Sequence, residues 1–433
     1  MSIKRKLIKN SSYNLVVYFL LSVVALLTLP QMVEVLGLEQ YGLFVLFNTI
    51  TPLASVLEFG ITSSLIRELA LPNKQIKERH QIWQTGHFLM AFSGLLTVIF
   101  LGIIFSYFSH SQLFVSLDST DFVSIVALVL GAVFLDRLGS HYLTIVQADQ
   151  DFRLLSLRNL LVGLGNTLFS LIAAVQTKSL VFIFITQLVF YFLGAFIPFI
   201  YNLYYFKGKS LLPKIDLSIV KRVINFGWQN FIGKVASQLE GQLSRYILGF
   251  LLTPSAVGLF NIPQTLTQKS AGVISQIASA IYPASASLQT KDKIGKLVRL
   301  IIQLEVGIFV IGCFGIWAFS QFGETLLSLW LTNTSLVQQI YPLMQVMLWW
   351  LLLSALTPIP SMVLDGLNLP IIPSLSALVT LSFEVYFLLN LIPTLGVIGA
   401  AYALLYGSLF GVIPFVIVFF WILRREQLKI SRQ

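Results

Sequence analysis

The chain has 433 residues, of which 56% are hydrophobic and only 11% charged, and its formal net charge is +10. Soluble domains carry about 25% charged residues, so this composition excludes a soluble enzyme, a nucleic-acid-binding protein and a disordered chain. The single cysteine, Cys313, excludes an intramolecular disulfide.

The hydrophobic residues are concentrated in twelve runs, each close to or above the roughly 20 residues that a spanning helix needs. The first run follows a basic N-terminus and is too long for a signal-peptide core, so we expect it to be retained. In chain order the runs are approximately 15–33, 41–64, 84–108, 121–146, 155–176, 179–206, 223–252, 256–282, 300–322, 335–360, 371–392 and 395–423. Because lipid cannot satisfy backbone polar groups, these runs predict helices. The predicted fold class is an all-α polytopic membrane protein with twelve transmembrane helices.

The basic residues predict the orientation of these helices. Most of the 28 lysines and arginines flank one end of the runs, from Lys4, Arg5 and Lys6 before the first to Arg424 and Arg425 after the last. Short loops rich in lysine and arginine face the cytoplasm. We therefore expect both termini to be cytoplasmic, which requires an even number of spans.

An internal repeat divides the chain into two halves at a shift of 216 residues. The matched positions are Gly42-Leu43-Phe44 with Gly258-Leu259-Phe260, Ile197-Pro198-Phe199 with Ile413-Pro414-Phe415, Asn14 with Asn230, Arg5-Lys6 with Lys221-Arg222, and Asp149 with Asp365. Six runs in each half give both halves the same orientation, and parallel repeats of this kind build transporters whose substrate path lies between two lobes. The sequence predicts two parallel six-helix lobes, 1–215 and 216–433.

Polar residues in predicted span seven are spaced along one face of a continuous helix. Asn230, Lys234, Gln238, Gly241 and Arg245 follow one another at intervals of four, four, three and four residues. At a helix rise of about 1.5 Å per residue, Lys234 and Arg245 are expected about 16 Å apart. A charge at the bilayer centre costs at least about 2.5–3.5 kcal/mol, so such residues face protein or a wet cavity. Polar stripes of this kind line a hydrated cavity or hold helices together, and both interpretations are open.

Other charges inside the runs have structural alternatives. Asp136 and Arg137 are neighbours and cannot face each other on a helix. Arg137 is a candidate for a functional cation, but it is equally expected to pair with an acid on another span, such as Glu58 or Glu384. Ala403, Gly407 and Gly411 form small-residue steps in span twelve that predict close helix packing.

Catalytic and nucleotide-binding motifs are absent or broken. Gly208-Lys209-Ser210 resembles the end of a phosphate-binding loop, but Leu203 occupies the position of that loop's first glycine. The four histidines lack the spacing of zinc ligands. We expect no catalytic residues, no metal and no cofactor.

Four segments carry a resemblance to a known family. They are Lys9-Asn10-Ser11-Ser12-Tyr13-Asn14, Leu38-Glu39-Gln40-Tyr41-Gly42-Leu43-Phe44, Glu58-Phe59-Gly60-Ile61 with the following Arg67, and Ala256-Val257-Gly258-Leu259-Phe260-Asn261. With these segments the chain resembles the polysaccharide-export branch of the multidrug/oligosaccharidyl-lipid/polysaccharide (MOP) superfamily, the Wzx-type O-antigen and repeat-unit flippases. The resemblance covers nearly the whole length and implies a MATE-like fold of two lobes with alternating access.

The resemblance also implies a substrate and a location. The substrate would be an undecaprenyl-diphosphate-linked oligosaccharide, moved from the cytoplasmic to the outer leaflet of the bacterial inner membrane for O-antigen, capsule or exopolysaccharide synthesis. Implied partners are membrane lipids, a polysaccharide polymerase and chain-length proteins; nucleic acid is not among them. Cations on a cavity face would hold the diphosphate of such a substrate. The candidate substrate-binding residues are Lys234, Arg245, Arg137, Lys269, Asn230 and Gln238. The candidate cation-coupling residues are Glu58, Asp136 and Glu384.

Two other functions are open on the sequence alone. One is a cation-coupled multidrug exporter of the MATE type on the same frame, although the first span lacks the membrane-embedded acid typical of drug-exporting relatives. The other is a membrane enzyme that modifies polyprenyl-linked glycans, although the outer loops are too short to hold an acceptor.

Overall fold

The fold is known from a computed structural model that describes residues 3–72, 75–109, 111–279, 291–367 and 369–432. The description covers the backbone only for residues 3–12, 226, 228–234, 236–237, 277, 279, 291–297 and 426–432. Within the described residues, all regular secondary structure is helical, as expected for segments that must satisfy their own backbone in lipid. The predicted all-α class is confirmed.

The chain divides into two units, Met1–Gln238 and Leu239–Gln433. The first unit contains nine helices: α1 Ile3–Ala54, α2 Ile61–Ala70, α3 Ile76–Phe108, α4 Ser119–Tyr142, α5 Thr144–Ala148, α6 Phe152–Leu164, α7 Ser170–Thr177, α8 Leu180–Tyr205 and α9 Leu217–Leu239, whose last residue belongs to the second unit. A single π-helical turn, Gly165–Phe169, joins α6 to α7.

The second unit continues with the remaining helices. They are α10 Leu243–Leu251, α11 Pro254–Ser279, α12 Lys291–Trp330, α13 Thr334–Ala355, α14 Pro358–Gly366, α15 Ile371–Leu395 and α16 Val397–Arg432. The pair α15 and α16 is in close contact because Gly407 lies against the backbone of Glu384, where an added Cβ would be 2.9 Å from Glu384 Cα. Ser376 Oγ also donates to the carbonyl of Gly411 at 3.1 Å. The close packing predicted from the small-residue steps of span twelve is confirmed.

The first two predicted spans correspond to the two helical segments of α1, which meet at Gly37. Helix α1 has 52 residues and is kinked at Gly37, whose φ of 74° is outside the helical region. Glycine adopts this left-handed φ without steric cost. Two helical segments therefore meet at Gly37, in agreement with the prediction that residues 15–33 and 41–64 are separate apolar segments.

Nine helical segments of the described residues are long and apolar enough to cross a membrane. They are Tyr13–Glu58, Ile76–Phe108, Ser119–Ala148, Phe152–Thr177, Leu180–Tyr205, Val298–Trp330, Thr334–Gly366, Ile371–Leu395 and Val397–Arg425. The first covers predicted spans one and two. Predicted spans seven and eight correspond to α9–α10 and α11, the helices with polar stripes, and are outside this set. The chain is a multi-pass membrane protein.

Each unit has its own buried core, while large apolar side chains also cover its outside. One core in the first unit includes Leu65, Trp83 and Met90, and one in the second includes Val363 and Phe419. Many phenylalanines, leucines and isoleucines are exposed along the helices. In a bilayer these side chains face hydrocarbon rather than water, so their exposure carries no penalty.

The segment between α8 and α9 is held against one face of α3. Gln84 Nε2 donates to the carbonyls of Ser210 and Leu212, each at 3.0 Å. His80 and His87, on the same face, hydrogen-bond to the carbonyls of Ser210 and Leu211 at 2.9 and 3.1 Å. We name residues 207–216 the α8–α9 linker. Side chains of α3 bind its carbonyls at Ser210, Leu211 and Leu212.

The α8–α9 linker ends at an aspartate that caps α9. The Asp216 carboxylate accepts from the backbone N–H groups of Ser218 and Ile219 and from the Ser218 hydroxyl. These hydrogen bonds, the one from the Ser218 hydroxyl first, hold the pKa of Asp216 below its usual range. The negative charge at the N-terminus of α9 also suits the helix dipole.

Candidate functional site

Two polar clusters inside the predicted membrane region contain most of the candidate residues. The first, the Arg137 cluster, lies in the first unit and consists of Ala54, Glu58, Asp136, Arg137 and Arg158. The second, the Gly241 break, lies in the second unit and is made by Glu240, Gly241, Arg245, Gln264, Gln268 and Glu384.

The Arg137 cluster forms where α1 ends and the chain reverses. A short 3-10 turn, Ser55–Glu58, follows α1, and Phe59 and Gly60 then adopt left-handed φ values of 51° and 72°. Gly60 also lies against α9, where an added Cβ would be 2.7 Å from the carbonyl oxygen of Gly227. The reversal therefore needs glycine at this position, and it places Glu58 under the start of α2.

Glu58 and Arg137 form a buried ion pair at this reversal. Arg137 Nη1 is 3.2 Å from Glu58 Oε2, with side chains only 4% and 12% exposed. Arg137 Nη2 donates to the carbonyl of Ala54, which the end of α1 leaves without a helical partner. Glu58 Oε1 accepts the backbone N–H of Thr62 at 2.7 Å. The predicted alternative, in which Arg137 pairs with Glu58, is confirmed.

Asp136 has a different partner. Its Oδ1 accepts a hydrogen bond from Arg158 Nη2 of α6. Neighbouring positions on α4 thus bind α1 and α6 respectively, as expected for side chains that point in different directions from one helix. Both acids of the first unit that we considered for cation coupling are engaged with arginine.

Gln238 contributes to the end of the same reversal. Its Nε2 donates to Ser55 Oγ at 2.8 Å, so one residue of the span-seven stripe binds one residue of the span-two stripe. At this position the stripe holds helices together. Two other candidates on α9, Asn230 and Lys234, lie outside the residues whose side chains the structure describes.

The helix of span seven is interrupted at the Gly241 break. Helix α9 ends at Leu239, Gly241 has a φ of 73°, and α10 begins at Leu243. The prediction of one continuous helical face from Asn230 to Arg245 is therefore wrong. The expected separation of Lys234 and Arg245, which assumed that face, loses its basis. The physical reason is the left-handed conformation of Gly241, which ends the hydrogen-bond ladder of α9.

The polar groups exposed by the break are satisfied by α11. Gln264, fully buried, donates from Nε2 to the carbonyl of Gly241 at 2.7 Å and contacts Ser244 Oγ at 3.4 Å. Arg245 is 7% exposed; its Nη1 is 2.5 Å from Gln242 Oε1 and its Nη2 is 3.3 Å from Gln268 Oε1. The guanidinium is thus oriented by two neutral amides. Lys269, the next residue of α11, is partly buried.

Glu384 approaches the Gly241 break from α15. It is 1% exposed, and it interacts with the backbone N–H of Gly241. Its Oε1 has no hydrogen-bond partner among the described residues. Glu240, at the break itself, interacts electrostatically with Glu384. Two acids, a backbone N–H and a broken helix therefore meet in one place inside the second unit.

The sequence profile of a family described as "Polysaccharide biosynthesis protein" matches residues 7–289 of this chain. The chain belongs to this family. The matched part includes all of the Arg137 cluster and the α9–α11 part of the Gly241 break, while Glu384 lies beyond it.

Comparisons over the whole length agree with the family. A Shigella flexneri protein named "Putative O-antigen transporter" is 21% identical over 413 residues, which cover 91% of this chain and 93% of that protein. Among solved structures, the lipid II flippase MurJ in an inward closed conformation has a TM-score of 0.74 at 14% identity, covering 96% of this chain and 89% of that one. An inward-facing multidrug resistance MATE transporter of the MOP superfamily has a TM-score of 0.70 at 14% identity, covering 97% and 99%.

These comparisons confirm the resemblance to the polysaccharide-export branch of the MOP superfamily and the MATE-like fold. The named relatives are transporters and flippases rather than enzymes, in agreement with the expectation for this chain.

Some residues of the Gly241 break are not among the candidate substrate-binding or cation-coupling residues chosen from the sequence. Glu240 and Gln264 belong to it, and Gln264 supplies the contact that satisfies the broken backbone. A signal was present in Gly241, because a glycine that interrupts a membrane helix is one feature of the discontinuous helices that form binding sites.

Proposed function

We propose that the chain is a flippase that moves polyprenyl-diphosphate-linked oligosaccharide repeat units from the cytoplasmic to the outer leaflet of the bacterial inner membrane. The products would serve O-antigen, capsule or exopolysaccharide synthesis, with a polysaccharide polymerase and chain-length proteins acting on them next. The observation that carries this proposal is the family match, supported by a relative named as an O-antigen transporter that aligns over 93% of its length.

The proposed topology has twelve transmembrane helices in two parallel six-helix lobes, 1–215 and 216–433, with both termini cytoplasmic. The nine apolar segments, the first of which covers two predicted spans, and the two polar-striped spans support this count. The charge distribution of the loops supports the orientation.

Within this topology, the proposed substrate-binding cation of the second unit is Arg245. A guanidinium presents several N–H donors in a fixed plane and binds phosphate oxygens in a bidentate manner. In the structure two of those donors contact the amide oxygens of Gln242 and Gln268. Neutral amides give up such contacts to an anion more readily than a carboxylate does, because a charged acceptor forms hydrogen bonds about twice as strong. Lys234 is proposed as a second cation, with Asn230 one helical turn before it. Lys269, which follows Gln268 on α11, is proposed as a further cation.

Arg137 and Gln238 have weaker support as substrate ligands. The Nη atoms of Arg137 bind Glu58 and Ala54, and Gln238 binds Ser55. A substrate at either residue would have to displace an existing contact, in the first case a buried ion pair. We propose that these two residues mainly hold the reversal at Gly60.

For cation coupling, Glu384 is the preferred candidate. Glu58 and Asp136 are neutralised by arginines, whereas Glu384 has an oxygen without a hydrogen-bond partner among the described residues. A buried carboxylate without such compensation is costly and favours binding of a cation, either a proton or a metal ion. We propose that transport is driven by a cation that binds at Glu384.

The experiment that tests the function is deletion of the gene followed by analysis of lipid-linked glycans. A flippase defect leaves the oligosaccharide on the cytoplasmic face, where added glycosidase in inverted vesicles degrades it. Complementation with Arg245→Ala or Lys234→Ala at matched expression should restore export poorly, whereas Lys209→Ala in the exposed α8–α9 linker should restore it fully. Normal export by both first variants would show that the proposed substrate site is wrong.

A cation-coupled multidrug exporter is the second candidate, favoured by the fold likeness to a multidrug MATE transporter that is covered over 99% of its length. It predicts that the deletion strain becomes sensitive to cationic dyes while glycan export is unchanged. Measuring both phenotypes in one strain distinguishes the two functions.

A further inference from the structure

A crevice on the second unit is separate from the Gly241 break. Its volume is about 660 Å³, and it is lined by Cys313, Trp317 and Phe319 of α12, Trp349 of α13, and Tyr402 and Leu405 of α16. We name it the Trp317 crevice. Its volume is within the range of about 300–1,000 Å³ that is common for ligand pockets.

The crevice lies at the depth of the lipid chains. Helix α12 ends at Trp330 and α16 begins at Val397. At about 1.5 Å per residue, Phe319 is about 16 Å and Tyr402 about 8 Å from those ends. Both distances are within the roughly 30 Å hydrocarbon core of a bilayer. In the proposed topology these helix ends are on the outer side, so the crevice extends from the outer-leaflet half to the bilayer centre.

The crevice is open to lipid and offers apolar surface. Trp317 and Trp349 are 56% and 50% exposed, on helices whose outer surface faces hydrocarbon. Apart from Ser320 and Gln345 the lining is apolar or aromatic, and Ser320 Oγ already donates to the carbonyl of Trp317 at 2.7 Å. Water would find few partners here, and a buried water needs two to four. The natural occupant of such a crevice is a hydrocarbon chain.

The walls of the crevice are rigid and aromatic. Phe319 stacks on Tyr341 with ring centroids 5.7 Å apart, and Tyr402 stacks on Tyr406 at the same distance. Stacking favours these ring positions, which give the crevice flat aromatic faces. A straight saturated chain packs well on a flat helix surface. A polyprenyl chain, with its methyl branches and rigid double bonds, fits better in a wider recess that has flat faces against those double bonds.

We propose that the Trp317 crevice binds the polyprenyl chain of the lipid-linked substrate. The proposal rests on the proposed function and adds a binding site for the lipid part, distinct from the cations that would hold the diphosphate. The chain lies among the rings of Trp317, Trp349 and Tyr402 while the head group crosses the membrane. Dispersion contacts with these rings provide the affinity.

The test uses the purified full-length chain in liposomes and a polyprenyl phosphate that carries a photoreactive diazirine near its middle. We expect crosslinks on the crevice segments of α12, α13 and α16, including the segment with Cys313. Excess unlabelled polyprenyl phosphate should abolish them, and excess dioleoyl phosphatidylglycerol should not. The double variant Trp317→Ala/Trp349→Ala should crosslink about tenfold less, as expected when two large aromatic contacts are removed. The control is Trp421→Ala, a tryptophan of α16 that is 61% exposed and outside the crevice lining.

Three outcomes overturn the proposal: crosslinks spread evenly over the helices, equal competition by phosphatidylglycerol, or unchanged labelling of the double variant. Equal competition would identify an ordinary lipid site. None of these outcomes bears on the proposed function, which is tested by the glycan phenotype of the deletion strain. Conversely, a deletion strain without accumulated lipid-linked glycan would refute the flippase even if the crevice bound polyprenyl phosphate.

Discussion

Arg137 Nη1 lies 3.2 Å from Glu58 Oε2, in an ion pair that joins α4 to the reversal at the end of α1. The same guanidinium also binds the carbonyl of Ala54. One side chain thus satisfies both a buried acid and the open end of a helix. This explains why a charge that is costly in a membrane is tolerated at this position.

Removing one partner of this pair should destabilise the first unit. We expect Arg137→Ala to lower the free energy of unfolding by about 3–5 kcal/mol, because Glu58 is left as an uncompensated buried charge. Replacing both residues, in Arg137→Met/Glu58→Leu, should cost less than either single change. The measurement is denaturant unfolding in detergent micelles. Additive effects of the single changes would contradict the pairing, and Arg153→Ala is a control at a residue without a buried ion pair.

Substitutions of the left-handed Gly241 should destabilise the second unit to different degrees. Gly241→Ala introduces a strain of about 1–2 kcal/mol from its φ of 73°, and the added Cβ would be 3.0 Å from Gln268 Nε2. Gly241→Asn should be milder, since asparagine tolerates left-handed φ better. Thermal unfolding temperature and glycan export should both follow the order Gly, Asn, Ala. Gly307→Ala is the matched control, because an added Cβ there meets nothing within 4 Å.

The α8–α9 linker should loosen when its main donor is removed. Gln84→Leu keeps the side-chain volume but removes the hydrogen bonds to Ser210 and Leu212. The carbonyl of Leu212 then loses its donor, whereas that of Ser210 keeps His80. Each lost hydrogen bond costs about 0.5–1.5 kcal/mol, so the linker should open more often. Trypsin cleavage after Lys209 or Lys214 should then be about tenfold faster, because proteolysis follows the population of the open form. Gln75→Leu, at an exposed position before α3, should leave cleavage unchanged.

The sequence predicted the helices well and the breaks between them poorly. Runs of apolar residues specify where helices can exist in lipid, and this requires no tertiary information. The breaks at Gly60 and Gly241 depend on backbone φ, and glycine in a membrane helix also serves close packing, as Gly407 does against Glu384. Composition and spacing do not distinguish these two uses.

Candidate site residues show the same limit. The sequence indicated that Arg137 needed an acid, but it left Glu58 and Glu384 as alternatives. The reversal at Gly60 brings Glu58 to Arg137, whereas Glu384 is left beside Gly241. Because a partner in another span depends on tertiary folding, spacing within one helix could not distinguish these acids. Their different surroundings now separate a structural acid from a candidate for coupling.

That separation makes Glu384 the sharpest test of energy coupling. Glu384→Gln keeps the size of the side chain and an acceptor for the N–H of Gly241 but cannot bind a proton or carry a charge. If a cation drives transport through this residue, glycan flipping in liposomes should fall by about 5–150-fold, the range of typical coupling energies. The residual rate should no longer respond to an imposed pH or sodium gradient. Glu305→Gln is the matched control, since Glu305 is another buried acid of the second unit at 6% exposure. A Glu384→Gln variant that still responds to both gradients like the unmodified chain would exclude coupling at this residue. An equal loss of flipping in Glu305→Gln would indicate a general effect of buried charge. The two variants together therefore show whether or not the coupling cation binds at Glu384.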